Sequence, residues 1–285
     1  MSHLLTEELS LKDLKSLTIF FTHYHADHLN GMGLCPIMYI KSITKQVFGP
    51  LDNGKGALDA VKYTFQKPYF PVTDEQIKSS FASLMNNGIA SNHILAFYQD
   101  LNTSITLSEY EDTIAKEKQI EFTKDGQKIK VNLTDVLICR NMEVQHPDKC
   151  VAYRFEEYGK NPINKKVELT SCFVLITDCE SHVAIPSFYK TFIQGANLIA
   201  VDCQYSLEDY PKFAGYGHGS PDWVGIIAAN SPETHTVGIV HHDPSSTDDK
   251  VDSIVTQCRQ SAERKGVDLK TKQIIGIPDY KEFVL

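Results

Sequence analysis

Residues 17–31 read LTIFFTHYHADHLNG. The apolar, β-favouring run 17–22 predicts a buried strand, and the chain then leaves it through a loop holding His23, His25, Asp27 and His28. The whole chain has 11 histidines in 285 residues, so composition alone would give this HxHxDH pattern in roughly one such chain in a thousand. Alternation lets His23 and His25 point to one side of an extended loop, while Asp27 and His28 follow after a turn and can face a second ion. Neutral imidazole with carboxylate suits Zn²⁺, with Mn²⁺ or Fe as alternatives.

One loop cannot complete a metal site, so further ligands are expected where other apolar strands stop. Three places qualify. His146 follows the run VLICRNMEVQ, Asp178 ends CFVLITD, and His241 or His242 ends TVGIVHHDP. Together with the loop these make six or seven ligands, enough for two divalent ions. His3, His93, His182 and His235 carry no such context and read as ordinary surface or hydrogen-bonded histidines.

The rest of the pattern is α/β. GALDAVKYTFQ and DEQIKSSFASLMNN space apolar residues by threes and fours, which predicts helices in a region of about 54–118. PIMYI and QVFG read as short strand, and 118–133 as a hairpin turning at Asp125-Gly126. CVAYRFE, SCFVLITD and ANLIAVD are strands. SPDWVGIIAANS and STDDKVDSIVTQCRQSAERKG are helices, the first opening on Ser220-Pro221 and the second stopping at a glycine. The expectation is one layered domain over 1–285 with a helical insertion at about 54–118.

Bulk numbers narrow the function classes. Apolar residues make up 42% of the chain, enough for a substantial core. A net charge of −8 argues against a nucleic-acid backbone as the main partner. Seven scattered cysteines with no CxxC read as reduced thiols, and the acidic, polar N-terminus is no secretory signal, so a cytoplasmic protein without a membrane span is expected.

The series HxHxDH, lone His, strand-terminal Asp and strand-terminal His resembles the metallo-β-lactamase superfamily. The stretches GMGLCPIMYI, KPYFPV, HPDKCVAYRF, LITDCE, VDCQYSLEDYPKFAGYGHGSPDWVGIIAANS and VGIVHHDPSSTDDKVDSI extend the resemblance over about 17–265. They point to its phosphodiesterase and ribonuclease Z branch, which includes cyclic phosphate phosphodiesterases. The resemblance implies a four-layered αβ/βα sandwich and a two-metal phosphodiesterase acting on a small cyclic or nucleotide-like diester. It assigns His23, His25 and His146 to a first metal, Asp27, His28 and His241 to a second, and Asp178 as a bridge. His218, in GYGHGS, falls beside the metals as a proton donor, and is grouped with Asp27 among the catalytic residues. Asp202 and Tyr205 fall in the supporting shell, with Glu180, Asp202 and Asp243 as carboxylates that could orient ligand histidines. Two ions sharing a water would lower its pKa and stabilise phosphoryl charge.

Relatives carry a strand-rich segment of several dozen residues before HxHxDH. Only about sixteen residues precede the apolar strand here, so the first strands of one sheet are expected to be missing, with a homodimer covering the exposed edge. HPDKC stands where relatives commonly have glycines after HP. Competing readings are a tRNA-maturing ribonuclease, which wants a basic Gly/Pro-rich arm that the sequence lacks; a lactonase, glyoxalase II or β-lactamase, which wants a glycine before the third ligand where Gln145 stands; and an inactive metal-binding scaffold.

Overall fold

The computed structural model describes residues 14–77, 94–98, 103–107, 119–124 and 127–278, with 281 and 283. The chain divides into two compact units, 1–91 and 92–285.

In the first unit, strand β1 (Ser16–Phe20) pairs in parallel with β2 (Thr44–Phe48), residue 16 opposite 44. A parallel pair needs a crossover, and helix α1 (Ala26–Leu34) lies on it. Helix α2 (Ala57–Thr64) and the short α3 (Asp74–Ile77) follow. The core joins Phe21, Leu29, Met32, Met38, Val47, Val61 and Phe65. PIMYI is not a strand. Residues Pro36–Tyr39 form a 3-10 turn, which Pro36 favours because its ring presets a helical φ and its missing N–H is not needed at a first turn.

In the second unit, the ordering of strands explains where the candidate ligands stand. Strands β3 (Ile94–Tyr98), β4 (Thr103–Leu107), β7 (Leu137–Val144), β8 (Cys150–Lys160), β9 (Val167–Ile176), β10 (Leu198–Asp202), β11 (Thr236–Val240) and β12 (Gln273–Gly276) form one mixed sheet in the order β12-β11-β10-β9-β8-β7-β3-β4. The pairs β9–β10, β10–β11 and β11–β12 are parallel, and those from β9 through β8, β7 and β3 to β4 are antiparallel. The helical reading of 54–118 therefore fails at 94–98 and 103–107, two antiparallel strands that extend this sheet. Pairing with β7 decides the matter there, and long-range pairing overrides local spacing of apolar residues. Residues 78–93, 99–102 and 108–118 of that region lie outside the described residues, as do 1–13. Strands β5 (Gln119–Lys124) and β6 (Gln127–Asn132) pair antiparallel as expected, Lys124 opposite Gln127, and the turn expected at Asp125-Gly126 lies outside the described residues.

Helices α4 (Ser187–Ile193), α5 (Tyr210–Phe213), α6 (Pro221–Ala229) and α7 (Asp248–Arg264) complete this unit. Ser220 sits at the N-cap of α6, but its hydroxyl meets Ser181 Oγ (2.9 Å) instead of capping. Thr247 does cap α7, accepting from Lys250 N at 3.3 Å. Trp223, Tyr189, Ile176, Val201, Ile239 and Cys258 belong to the core. All seven cysteines are free thiols, and all but Cys35 are buried. No helix among the described residues is long and apolar enough to cross a membrane.

A buried ion network braces the sheet. Arg154 donates to Glu156 (2.6 Å) and to the carbonyls of Phe192 and Gln194 (both 2.8 Å), and Arg140 donates to Glu156 at 3.0 Å. Burial alone would raise the Glu156 pKa; the charges of Arg140 and Arg154 outweigh it and hold the carboxyl below its ordinary 4.5. This stabilisation is complete above pH 4.5 and is lost as pH falls through the lowered value. Glu156→Ala leaves two guanidinium groups short of their carboxylate, and should lower unfolding free energy by about 3–5 kcal/mol, read by urea denaturation at neutral pH.

Candidate metal and hydrolytic site

In the first unit, β1 delivers the chain to the histidine loop, and Phe21 N donates to Phe48 O (2.7 Å), which carries the pairing past the strand end. His23 is buried, 1% exposed, with Nδ1 3.1 Å from Thr22 Oγ1. The His23 ring lies 4.4 Å from that of His25 and 4.3 Å from that of His28, centroid to centroid. His25 occupies the N-cap of α1, and His28 N donates to its carbonyl (3.1 Å). Asp27 and His28 thus fall in the first helical turn, their side chains 3.3 Å apart, where a carboxylate also suits the helix dipole. Three imidazoles this close would repel one another if protonated. As neutral ligands beside a carboxylate they suit a divalent ion.

The second unit assembles its donors from strand ends. Because β9, β10 and β11 run parallel and in register, with Val201 opposite Ile176 and Asp202 opposite Val240, their carboxyl ends place Asp178, Asp202 and His241 side by side. Such edges are where α/β sheets bind ligands. β7 runs the same way as β9, which puts His146 on that edge too, and Glu180 N donates to Gln145 O at 2.8 Å.

Asp178, Asp202, His218 and His241 each offer one donor atom within 4.8 Å of the others. Asp178 is 1% exposed, and its Oδ1 accepts from Thr177 Oγ1 (2.7 Å) and lies 3.2 Å from His241 Nε2. The His241 ring stacks on that of His218 at 5.1 Å. His241 adopts φ +60, a left-handed conformation costly for a residue with a Cβ. It is His241 that reaches Asp178. His242 turns to a cleft between α7 and β12, with Val255, Arg259 and Ile277.

His218 is half-buried, its Nδ1 3.1 Å from Asp202 Oδ2 and 3.9 Å from Asp178 Oδ2. Burial by itself would lower the His218 pKa; the Asp202 hydrogen bond and the nearby carboxylate charges raise it above its ordinary value. Asp202 is fully buried, and desolvation pushes its carboxyl up against the pull of His218. Cys179 N also donates to Asp202 Oδ2 (3.2 Å), which fixes the carboxylate that orients the imidazole. The donor set of carboxylates and imidazoles, buried and convergent, fits a divalent ion.

The three supporting carboxylates separate. Asp202 takes His218. Asp243 accepts from Ser245 N (2.8 Å) and Oγ (2.7 Å), holding its own turn. Glu180, 5% exposed, accepts from Gly215 N (2.8 Å), Gly217 N (2.9 Å) and the Tyr210 hydroxyl. It therefore pins the loop that carries His218. Gly217, at φ +94, is required there: a Cβ would stand 2.2 Å from His146 Cδ2. The sequence signal for Glu180 was only its place two residues after Asp178; its partners lie 30–37 residues away. Glu180→Ala should cost about 1–3 kcal/mol for each amide left buried without an acceptor, and Glu180→Gln less, as read by thermal and urea unfolding.

Of the four histidines given no role, His182 is half-buried against Tyr189 and Trp223, and His235 is exposed. His3 and His93 lie outside the described residues. No protein-family model and no curated protein matches the chain. Among solved structures it is similar to the metallo-β-lactamase fold protein YhfI from Bacillus subtilis, with 15% identity over 92% of this chain and 74% of that one and a TM-score of 0.45. It is also similar to the short form of human tRNase Z, with 14% identity over 85% of this chain and 77% of that one and a TM-score of 0.47.

Proposed function

We propose that the chain is a metal-dependent hydrolase, and within that class a two-metal phosphodiesterase for a small cyclic or nucleotide-like diester. The observation that carries this reading is the cluster of Asp178, Asp202 and His241 at the ends of three parallel strands with His218 from the loop beside them. The motif pattern assigns metal donors to His23, His25, Asp27 and His28 in the first unit and to His146, Asp178 and His241 in the second. Divalent ions held there supply an acidified water and positive charge for phosphoryl oxygens.

The chain's own residues do the rest. Asp202 holds His218 by Nδ1, so the proton available for transfer sits on Nε2. As a water oxygen forms the new P–O bond and the P–O bond to the leaving group breaks, the electron pair of the broken bond goes to the leaving oxygen, Nε2 gives that oxygen its proton, and the proton released by the water restores the imidazole. Cys179 N and the Asp202 carboxylate keep the ring aligned for that transfer.

The test pairs metal content per chain with hydrolysis of bis-p-nitrophenyl phosphate. Two equivalents of Zn²⁺ or Mn²⁺, with turnover abolished by chelation and restored by the metal, are expected. A protein that takes up no metal overturns the hydrolase; two equivalents with no turnover of any phosphodiester overturns the phosphodiesterase.

A further inference from the structure

We propose, on the footing of that phosphodiesterase reading, that Tyr205, Phe213 and Tyr216 form an aromatic platform beside His218 that stacks the planar base of the substrate. The substrate class is then a base-bearing nucleotide rather than a sugar or glycerol diester. The Tyr205 ring stands edge-on to His218 at 5.8 Å and lies flat on Phe213 at 4.6 Å, 13° between planes. Phe213 meets Tyr216 in turn at 6.2 Å and 72°. The chain of rings thus starts at the proton donor and runs outward. Phe213 is 38% and Tyr216 63% exposed, so water covers faces that apolar burial would normally remove.

The loop is built to hold these rings still. Gly215 N and Gly217 N, the amides on either side of Tyr216, both donate to the one buried oxygen Glu180 Oε2. Tyr216 N donates to Phe213 O (3.2 Å), closing the turn between the two exposed rings. A pinned backbone that displays aromatics loses little freedom when a ligand arrives, which is how rigid rings contribute to recognition. A base joined to its phosphate through a ribose would set its π-face on the platform with the phosphate toward His218. Stacking of this kind tolerates any base.

The experiment is equilibrium dialysis of the full chain, at fixed Zn²⁺, against adenosine 5′-monophosphate and ribose 5-phosphate. Wild type is expected to favour the nucleotide by about tenfold or more. Phe213→Leu with Tyr216→Leu keeps apolar bulk and removes the rings; it should erase the preference while metal content and circular dichroism stay unchanged. Equal binding of the two ligands by wild type, no nucleotide binding, or an undiminished preference in the double variant overturns the platform. Turnover of bis-p-nitrophenyl phosphate reports the underlying reading separately. A nucleotide preference without any turnover removes the phosphodiesterase and leaves the platform.

Discussion

Asp178→Ala is expected to lose metal from the strand-end cluster and to lower phosphodiester turnover on the order of 10⁴-fold, the scale seen when a member of a tightly coupled catalytic group is removed. Asp178 is the point where the cluster converges. Its Oδ1 meets both His241 Nε2 and Thr177 Oγ1, and its Oδ2 lies 3.9 Å from His218 Nδ1. It is almost fully buried, a costly place for a charge without a cation. The thermodynamic signature follows from linkage. Metal that binds only the folded state raises the melting temperature as its concentration rises. Wild type should show that rise with Zn²⁺ and Asp178→Ala should show much less, while the metal-free variant melts no lower than metal-free wild type. Metal content and Zn²⁺-dependent melting that match wild type would sink the assignment of Asp178.

The second large effect is at His218. His218→Gln should keep the wild-type metal content and lower turnover by about 10²–10⁴-fold, the range of a lost general acid. Asp202 already occupies Nδ1, so the ring is oriented by one nitrogen and acts through the other. Leaving-group dependence separates this role from a structural one. A diester that expels p-nitrophenolate needs little protonation and should suffer least, and one that expels an alkoxide should suffer most. A variant that loses metal instead would make His218 a ligand, which the convergence of its donor atom with those of Asp178, Asp202 and His241 also permits.

Local chemistry made much of this legible before any fold was known. HxHxDH follows a strand because six apolar or β-branched residues precede it, and the structure brings the rings of His23, His25 and His28 into contact. Asp178 and His241 could be picked because a polar residue after an apolar run marks the edge of a parallel sheet. Two features were read wrongly, for different reasons. PIMYI has the composition of a strand, and 94–98 and 103–107 sit in a region of helical spacing, yet a 3-10 turn and a pair of antiparallel strands form there. Short segments have weak preferences: pairing with β7 outweighs them at 94–98, and Pro36 at a first turn does so at 36–39.

The sequence by itself determined the residue types, their order and the strand ends on which they stand, because strands, caps and turns depend on side chains a few positions apart. Only the tertiary structure decided partners. It decided that Asp202 serves His218, that Glu180 pins the loop of Gly215 and Gly217, that His241 and not His242 reaches Asp178, and that Phe213 joins the rings of Tyr205 and Tyr216; the register of β9, β10 and β11 set Asp178, Asp202 and His241 side by side. The polar contacts among these span 16–63 residues or turn on a single backbone φ, and hydrogen bonds fall off within fractions of an ångström, so no local pattern encodes them.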